Sequence, residues 1–286
     1  MARLPAELAT TGPRLCGNLP CMIRALFKKM MRLTWKALPQ KARNLLIRTC
    51  MSGMTDREKF RAGFPTMPGF LKSIGEMGFS PVTIIDVGAN VGGWARMASR
   101  LFPSSRILMF EADADNEQAL RDTLREIGNR SEYLIALLGP EKKDAVTFYK
   151  LGFGSSVLPE LTTFEKQVVA LPMNTLDNVV QGAALQPPLL LKLDVQGFEL
   201  EVLRGGRRTL GLAEVVITEV SLLPYNAGAP LFAEVVAFMS EEGFVVFDFC
   251  GQLRREIDGV LFQTDVVFVR RDSPLLAPRK FWLSEP

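Results

Sequence analysis

The sequence predicts an α/β fold of Rossmann-like type, an open and mostly parallel sheet covered by helices, preceded by a helical N-terminal extension. Three observations carry that expectation. From Pro81 onward, short apolar runs alternate with amphipathic stretches, the texture of strands buried on both faces between crossover helices. The first run ends in a glycine-bearing turn that opens a helix, TIIDVGANVGGWARMASRLFP (83–103), so that free N–H groups at the helix start face a ligand. The chain has 286 residues and is 48% hydrophobic, enough for one well-buried core with an appendage left over.

The extension comes first. Residues 1–20 scatter proline and glycine without periodicity. From Met22 to Leu38, Arg24, Lys28, Arg32 and Lys36 recur every fourth residue, while Ile23, Leu26, Phe27, Met30, Leu33 and Ala37 take the opposite side. That spacing predicts a basic amphipathic helix, suited either to capping the following domain or to peripheral contact with an anionic membrane surface. A second helical segment is expected from Gln40 past Ile47, and a further helix or two over 56–79, broken by Pro65 and Pro68. Residues 1–75 hold about fourteen Lys and Arg against three Asp and Glu, although the whole chain is only +3. This asymmetry divides the chain into a basic helical extension (1–80), a catalytic-size domain (81–274) and a short tail (275–286).

Within the domain, strands are expected at 82–86, 106–111, 132–137, 189–194 and 214–220, and helices at about 92–101, 114–127, 175–181, 198–210 and 230–242. FVVFDF (244–249) and TDVVFVRR (264–271) are β-rich runs joined by a polar link with Asp258-Gly259, and should pair antiparallel. AVTFYK (145–150) and KQVVAL (166–171) form a further short pair around a Gly/Ser loop.

Composition narrows the chemistry. The chain has no histidine, which removes the commonest general base and the usual imidazole ligand. Cys16, Cys21, Cys50 and Cys250 form no C-x-x-C pair and no zinc-ligand spacing, so neither a disulfide framework nor a zinc site is expected. No run approaches the length of a membrane span, and the start lacks the order of a cleaved signal. The expectation is a cytoplasmic protein, at most peripheral to the inner membrane face, with no nucleic-acid partner.

The strand–turn–helix unit carries the functional argument. Its strand ends in Asp86, and the turn holds Gly88, Asn90, Gly92 and Gly93. Nineteen residues after Gly92, a second strand, RILMFE, ends in Glu111, where an acidic residue bonds ribose hydroxyls in such folds. A dinucleotide dehydrogenase needs G-x-G-x-x-G, but this turn reads G-A-N-V-G-G. A carboxylate at the first strand end repels a diphosphate, whereas it attracts the ammonium and sulfonium of S-adenosylmethionine. The donor site is therefore expected to use Asp86, Gly88, Asn90, Gly92 and Glu111, with Trp94 lining the pocket or packing its helix on the sheet. The plainer reading is a glycine turn with a capping aspartate and no ligand.

Further on, strand alternation sets Lys192, Asp194 and Gln196 on one face. Asp194, at the carboxyl end of its strand, is expected to position the acceptor or take its proton, or else to cap the next helix. Glu199 and Glu219 are further candidates for chemistry, while Lys192 calls for a structural ion pair. The loops GFGSSVLPE (152–160) and LLPYNAGAP (222–230) are candidate acceptor contacts through Ser155, Ser156, Tyr225 and Asn226, unless these residues only shape turns.

Taken together, IIDVGANVGG, FEAD (110–113), IALLG (135–139), GSSVL (154–158), LLLKLDVQGFELEVLRGG (189–206), ITEVS (217–221) and FQTDVVFVR (262–270) resemble the FkbM-type S-adenosylmethionine-dependent methyltransferases. The resemblance runs from about Ile84 to Arg271 and leaves residues 1–80 outside. It implies a class I methyltransferase fold, a seven-stranded sheet with an antiparallel last strand, and S-adenosylmethionine as donor. It further implies a hydroxyl on a carbohydrate or small metabolite as acceptor. Gln196 stands where that family more usually has Glu, which speaks against acid–base chemistry at 196. Two alternatives stay open: a non-catalytic donor-binding or membrane-docking scaffold and, against the glycine spacing, an NAD-dependent oxidoreductase.

Overall fold

The computed structural model describes residue 55, residues 66–128 and residues 130–278. The basic helix expected over 22–38 and the segment from Gln40 past Ile47 lie outside the described residues. Pro65–Pro286 form one compact unit, which opens with helix α1, Met67–Glu76. The Thr66 side chain caps α1 by accepting the Gly69 N–H at 3.2 Å. Pro68, expected to break a helix, instead starts one, because a proline in the first turn has no helical N–H bond to lose. Phe70, Leu71 and Ile74 are buried, and Phe70 meets Phe247 edge-on with ring centroids 6.4 Å apart. This helix precedes Pro81 and yet belongs to the same compact unit.

Strand β1 (Thr83–Val87) leads into α2 (Gly93–Leu101), then β2 (Arg106–Glu111), α3 (Glu117–Ile127) and β3 (Ser131–Ile135). The third strand is shorter than expected. The Ala136 N–H bonds the Glu111 carbonyl at 2.7 Å, and the chain then leaves the main sheet as β4 (Leu137–Leu138). The antiparallel pair β5 (Lys143–Lys150) and β6 (Gln167–Asn174) joins β4 in a separate sheet ordered β4-β6-β5. After the short α4 (Leu176–Val179) comes β7 (Leu189–Leu193).

The helix expected over 198–210 is divided into α5 (Glu199–Arg204) and α6 (Arg207–Leu212). The cause is close packing at a glycine pair: a Cβ on Gly205 would lie 2.0 Å from the Gly139 carbonyl oxygen, and one on Gly206 2.8 Å from Leu176. The remaining elements are β8 (Ala213–Ser221), α7 (Phe232–Glu241), β9 (Phe244–Arg254) and β10 (Leu261–Arg270).

The main sheet has seven strands in the order β3-β2-β1-β7-β8-β10-β9. Its strands are parallel from β3 to β8, and β10 runs antiparallel to both neighbours. Ile85, Val87, Leu191, Leu193, Val216 and Phe268 join Leu203, Leu210 and Phe238 in one apolar core on one side of the sheet. Alternation sends Asp86 and Lys192 to the other side, and the β1–β7 register sets them directly opposite. Among the described residues, no helix is long and apolar enough to cross a membrane.

If α1 is part of the fold, Phe70→Ala, at a position only 1% exposed, should cost about 3–5 kcal/mol in urea unfolding. A cost below about 1 kcal/mol would separate α1 from the cooperative unit.

Candidate active site

The strand order reverses beside β1, and the carboxyl ends of β2, β1 and β7 border a cleft. Six of the residues singled out from sequence meet on its walls: Gly88, Asn90, Glu111, Asp194, Ser155 and Ser156. Glu111 is 7% exposed. Its Oε2 accepts the Asn90 N–H at 2.6 Å and its Oε1 the Asp113 N–H at 2.8 Å. Burial pushes its pKa up, against the hydrogen bonds from the Asp113 and Asn90 N–H groups and from the Asn116 side chain, which favour the anion. Leu137, Leu138 and Phe148 give the cleft an apolar wall beside Glu111.

Gly88 has φ +77°, and a Cβ there would stand 1.9 Å from the Asp194 carbonyl oxygen. The glycine thus lets the β1 turn touch the end of β7, which brings the Glu111 and Asp194 ends of the cleft together. Gly92 has a different task. It does not line the cleft; its φ is +75° and a Cβ would meet the Thr123 hydroxyl at 2.5 Å, so it packs α2 against α3.

Asp86 is likewise not on the cleft wall. It is fully buried, 3.6 Å from the Lys192 ammonium, and its oxygens have no hydrogen-bond partner. In the structure the carboxylate expected to attract a cationic donor faces Lys192, whose ammonium is shared with Asp194 and Asp265. Burial drives the Asp86 pKa up, opposed by Lys192. Burial also works against the Lys192 ammonium, but Asp194, Asp86 and Asp265 outweigh it and hold its pKa above the ordinary value. The Trp94 ring lies over this pair, with Lys192 Nζ 5.9 Å from the ring centroid, so Trp94 covers the ion pair rather than the cleft.

At the other end of the cleft, Asp194 is held on both oxygens. Lys192 Nζ approaches Oδ2 at 3.2 Å and Gln196 Nε2 donates to Oδ1 at 3.0 Å. The same Gln196 nitrogen donates to Glu219 Oε2 at 3.0 Å, which also receives Gln263 Nε2 at 2.9 Å. Glu219 lies behind Gln196, off the cleft wall. Burial, then the nearby Asp194, Glu199 and Asp265 carboxylates, raise its pKa well above normal. Asp265, opposite Glu219 in the β8–β10 register, is pushed up to about 6 by burial and by Asp194. Among the described residues, no acidic or cysteine group of three is arranged to hold a metal ion.

Glu199 also faces away from the cleft. Its Oε1 accepts the N–H groups of Val195 at 2.9 Å and Gly197 at 3.2 Å, closing the turn that carries Asp194. Ser156 Oγ bonds the carbonyls of Val195 and Gln196, fastening the β5–β6 loop to the same turn. Ser155 Oγ accepts the Leu151 N–H and donates to the Gly152 carbonyl, shaping its own loop. Tyr225 is off the cleft wall, with its ring 5.1 Å from that of Phe262. Burial and a hydrogen bond to Glu160 push its phenol up to about 12. Asn226 is buried, its Nδ2 reaching the Leu158 carbonyl at 3.5 Å.

Sequence reasoning passed over Asp265 and Gln263. A charged residue inside the apolar run FQTDVVFVR was the available signal, but its meeting with Glu219 requires the register of two strands distant in sequence.

An open sheet in this order, with an antiparallel strand inserted next to its edge and a cleft at the strand ends, is the class I methyltransferase fold. The family model described as "Methyltransferase FkbM domain" matches residues 86–246, and the chain belongs to that family. Solved structures also match. A putative O-methyltransferase from Klebsiella pneumoniae is 15% identical with TM-score 0.45, over 79% of this chain and 94% of that one. Precorrin-6y C5,15-methyltransferase from Geobacter metallireducens is 13% identical with TM-score 0.41, over 71% and 86%. An O-methyltransferase family protein from Burkholderia thailandensis is 12% identical with TM-score 0.41, over 78% and 59%. No curated protein matches the chain.

Burial pushes the Glu199 carboxyl up to about 7, and a carboxyl raised on folding contributes stability below its unfolded pKa that is lost as pH rises through the folded value. Glu199→Gln keeps an oxygen for both N–H groups and removes the buried charge. Relative to wild type it should gain on the order of 2–3 kcal/mol between pH 5 and pH 8, read from urea unfolding. Glu199→Ala should lose about 1–3 kcal/mol at pH 5, where both N–H groups are left without an acceptor. Parallel pH profiles for wild type and Glu199→Gln would refute this role.

Proposed function

We propose that this chain transfers the methyl group of S-adenosylmethionine to a hydroxyl of a carbohydrate or other small metabolite. The observation that carries the donor reading is the pair of carboxylates at the two ends of one cleft, Glu111 on β2 and Asp194 after β7, with an apolar wall beside Glu111. A partly satisfied buried carboxylate suits a ribose diol. Leu137, Leu138 and Phe148 suit the flat face of an adenine. The Asp194 carboxyl group suits the sulfonium end and, with Asp86 behind it, disfavours a dinucleotide diphosphate.

S-adenosylmethionine supplies a methyl group already activated on sulfur, so the protein has mainly to align an acceptor and remove its proton. With the donor bound, Asp194 would take the proton of the acceptor hydroxyl as the methyl group passes from sulfur to that oxygen and S-adenosylhomocysteine is left. Lys192 and Gln196 aim the carboxylate through one oxygen each, and Asp194 lines the cleft. Glu219 supports this arrangement through Gln196, and Glu199 and Ser156 hold the turn. The acceptor class rests on the family resemblance. For residues 22–38, capping and peripheral docking on an anionic surface are both compatible with the charge pattern.

Calorimetric titration should give binding of S-adenosylmethionine and S-adenosylhomocysteine and none of NAD. Glu111→Ala should weaken S-adenosylhomocysteine binding about tenfold or more. Asp194→Asn should retain S-adenosylhomocysteine binding and abolish methyl transfer to hydroxylated acceptors. Donor binding without transfer by wild type to any acceptor class would favour the scaffold reading, and unchanged affinity in Glu111→Ala would remove Glu111 from the site.

A further inference from the structure

The segment between β5 and β6 crosses the cleft as a strap. At its first end, Lys150 Nζ pairs with Asp113 at 2.8 Å and also contacts Asp115, fixing it beside the end of β2. At its far end, Ser156 Oγ donates to the Gln196 carbonyl at 2.9 Å, fixing it beside the end of β7. The two anchors therefore stand next to Glu111 and Asp194, the opposite ends of the cleft. Between them the chain makes a single turn of 3-10 helix, Gly152–Gly154. Gly152 has φ +58°, and a Cβ on Gly154 would come within 2.9 Å of Glu160 and 3.3 Å of Leu151. The crown of the strap is flanked by Gly152, in the left-handed region, and Gly154, and presents one large side chain, Phe153.

Phe153 borders the cleft and is nevertheless 83% exposed. Leu137, Leu138 and Phe148 line the same cleft and give it an apolar wall. An aromatic ring held in water on the rim of an apolar slot gains by folding onto a flat ligand, and both anchors stay in place if only its side-chain torsions turn. Other exposed apolar side chains of this hairpin, Leu161, Phe164 and Val168, do not border the cleft.

We propose that Phe153 is the roof of the donor cleft: its ring closes over the adenine base, which is held between it and the Leu137–Leu138 wall. The inference rests on the donor reading above and adds a residue which that reading does not use. Because the free ring has few contacts to lose, its contribution appears only when ligand is bound. Base-on-aromatic stacking of this kind corresponds to roughly a tenfold effect on affinity.

The test is calorimetry with S-adenosylhomocysteine and, separately, adenosine, on wild type, Phe153→Ala and Phe153→Trp, together with thermal melts of the free proteins. Phe153→Ala should weaken both ligands by about tenfold with an unchanged melting temperature, and Phe153→Trp should restore affinity. Wild type that binds neither ligand would overturn the donor reading and this inference with it. Wild type and Phe153→Ala binding equally would overturn the roof alone. A melting temperature lowered in Phe153→Ala, with no affinity recovered by tryptophan, would assign the ring to the strap's own structure and likewise overturn it.

Discussion

One buried ammonium organises the working edge of this sheet. Lys192 sits opposite Asp86 in the β1–β7 register and within 3.2 Å of Asp194 one turn of pleat further along its own strand. A charge in that setting costs several kcal/mol unless it is paired. Asp86, whose oxygens have no hydrogen-bond partner, depends on Lys192 as much as Lys192 depends on it. The pair fastens the glycine turn after β1 to the strand that leads into Asp194, and so ties the two ends of the cleft together. Gly88 completes the junction by removing the side chain that would collide with the Asp194 carbonyl.

The turn after β7 is where the remaining constraints meet. Glu199 closes it from the start of α5, Ser156 from the β5–β6 loop, and Gln196 from within, at φ +55°. Gly197 admits a third loop, since a Cβ there would lie 2.6 Å from Ala229. A carboxylate fixed by so many neighbours is preorganised, with little freedom to lose when a ligand binds.

What the sequence made legible follows from the range of the interactions involved. The β1 turn and Glu111 were readable because glycine, carboxylate and strand end lie within one local unit, TIIDVGANVGG, followed at fixed spacing by RILMFE. The parallel core and the antiparallel β9–β10 pair were readable from apolar runs alone. Other features depend on contacts between distant segments. Gly205 breaks the helix after Asp194 because it touches Gly139, Asp265 joins the acidic end only through the register of β10 on β8, and Gly92 packs on Thr123. Glu199 looked like a chemical candidate because its motif is acidic; its two backbone partners appear only when the turn has closed.

The central claim is that one cleft, bounded by Glu111 and Asp194, holds the methyl donor. A crystal structure of the protein with S-adenosylhomocysteine tests it most directly. The account predicts the ribose hydroxyls on the Glu111 carboxylate, the adenine against Leu137 and Leu138, and the sulfur at the Asp194 end. Density for the ligand elsewhere on the molecule, or in the cleft with the ribose turned away from Glu111, would contradict it.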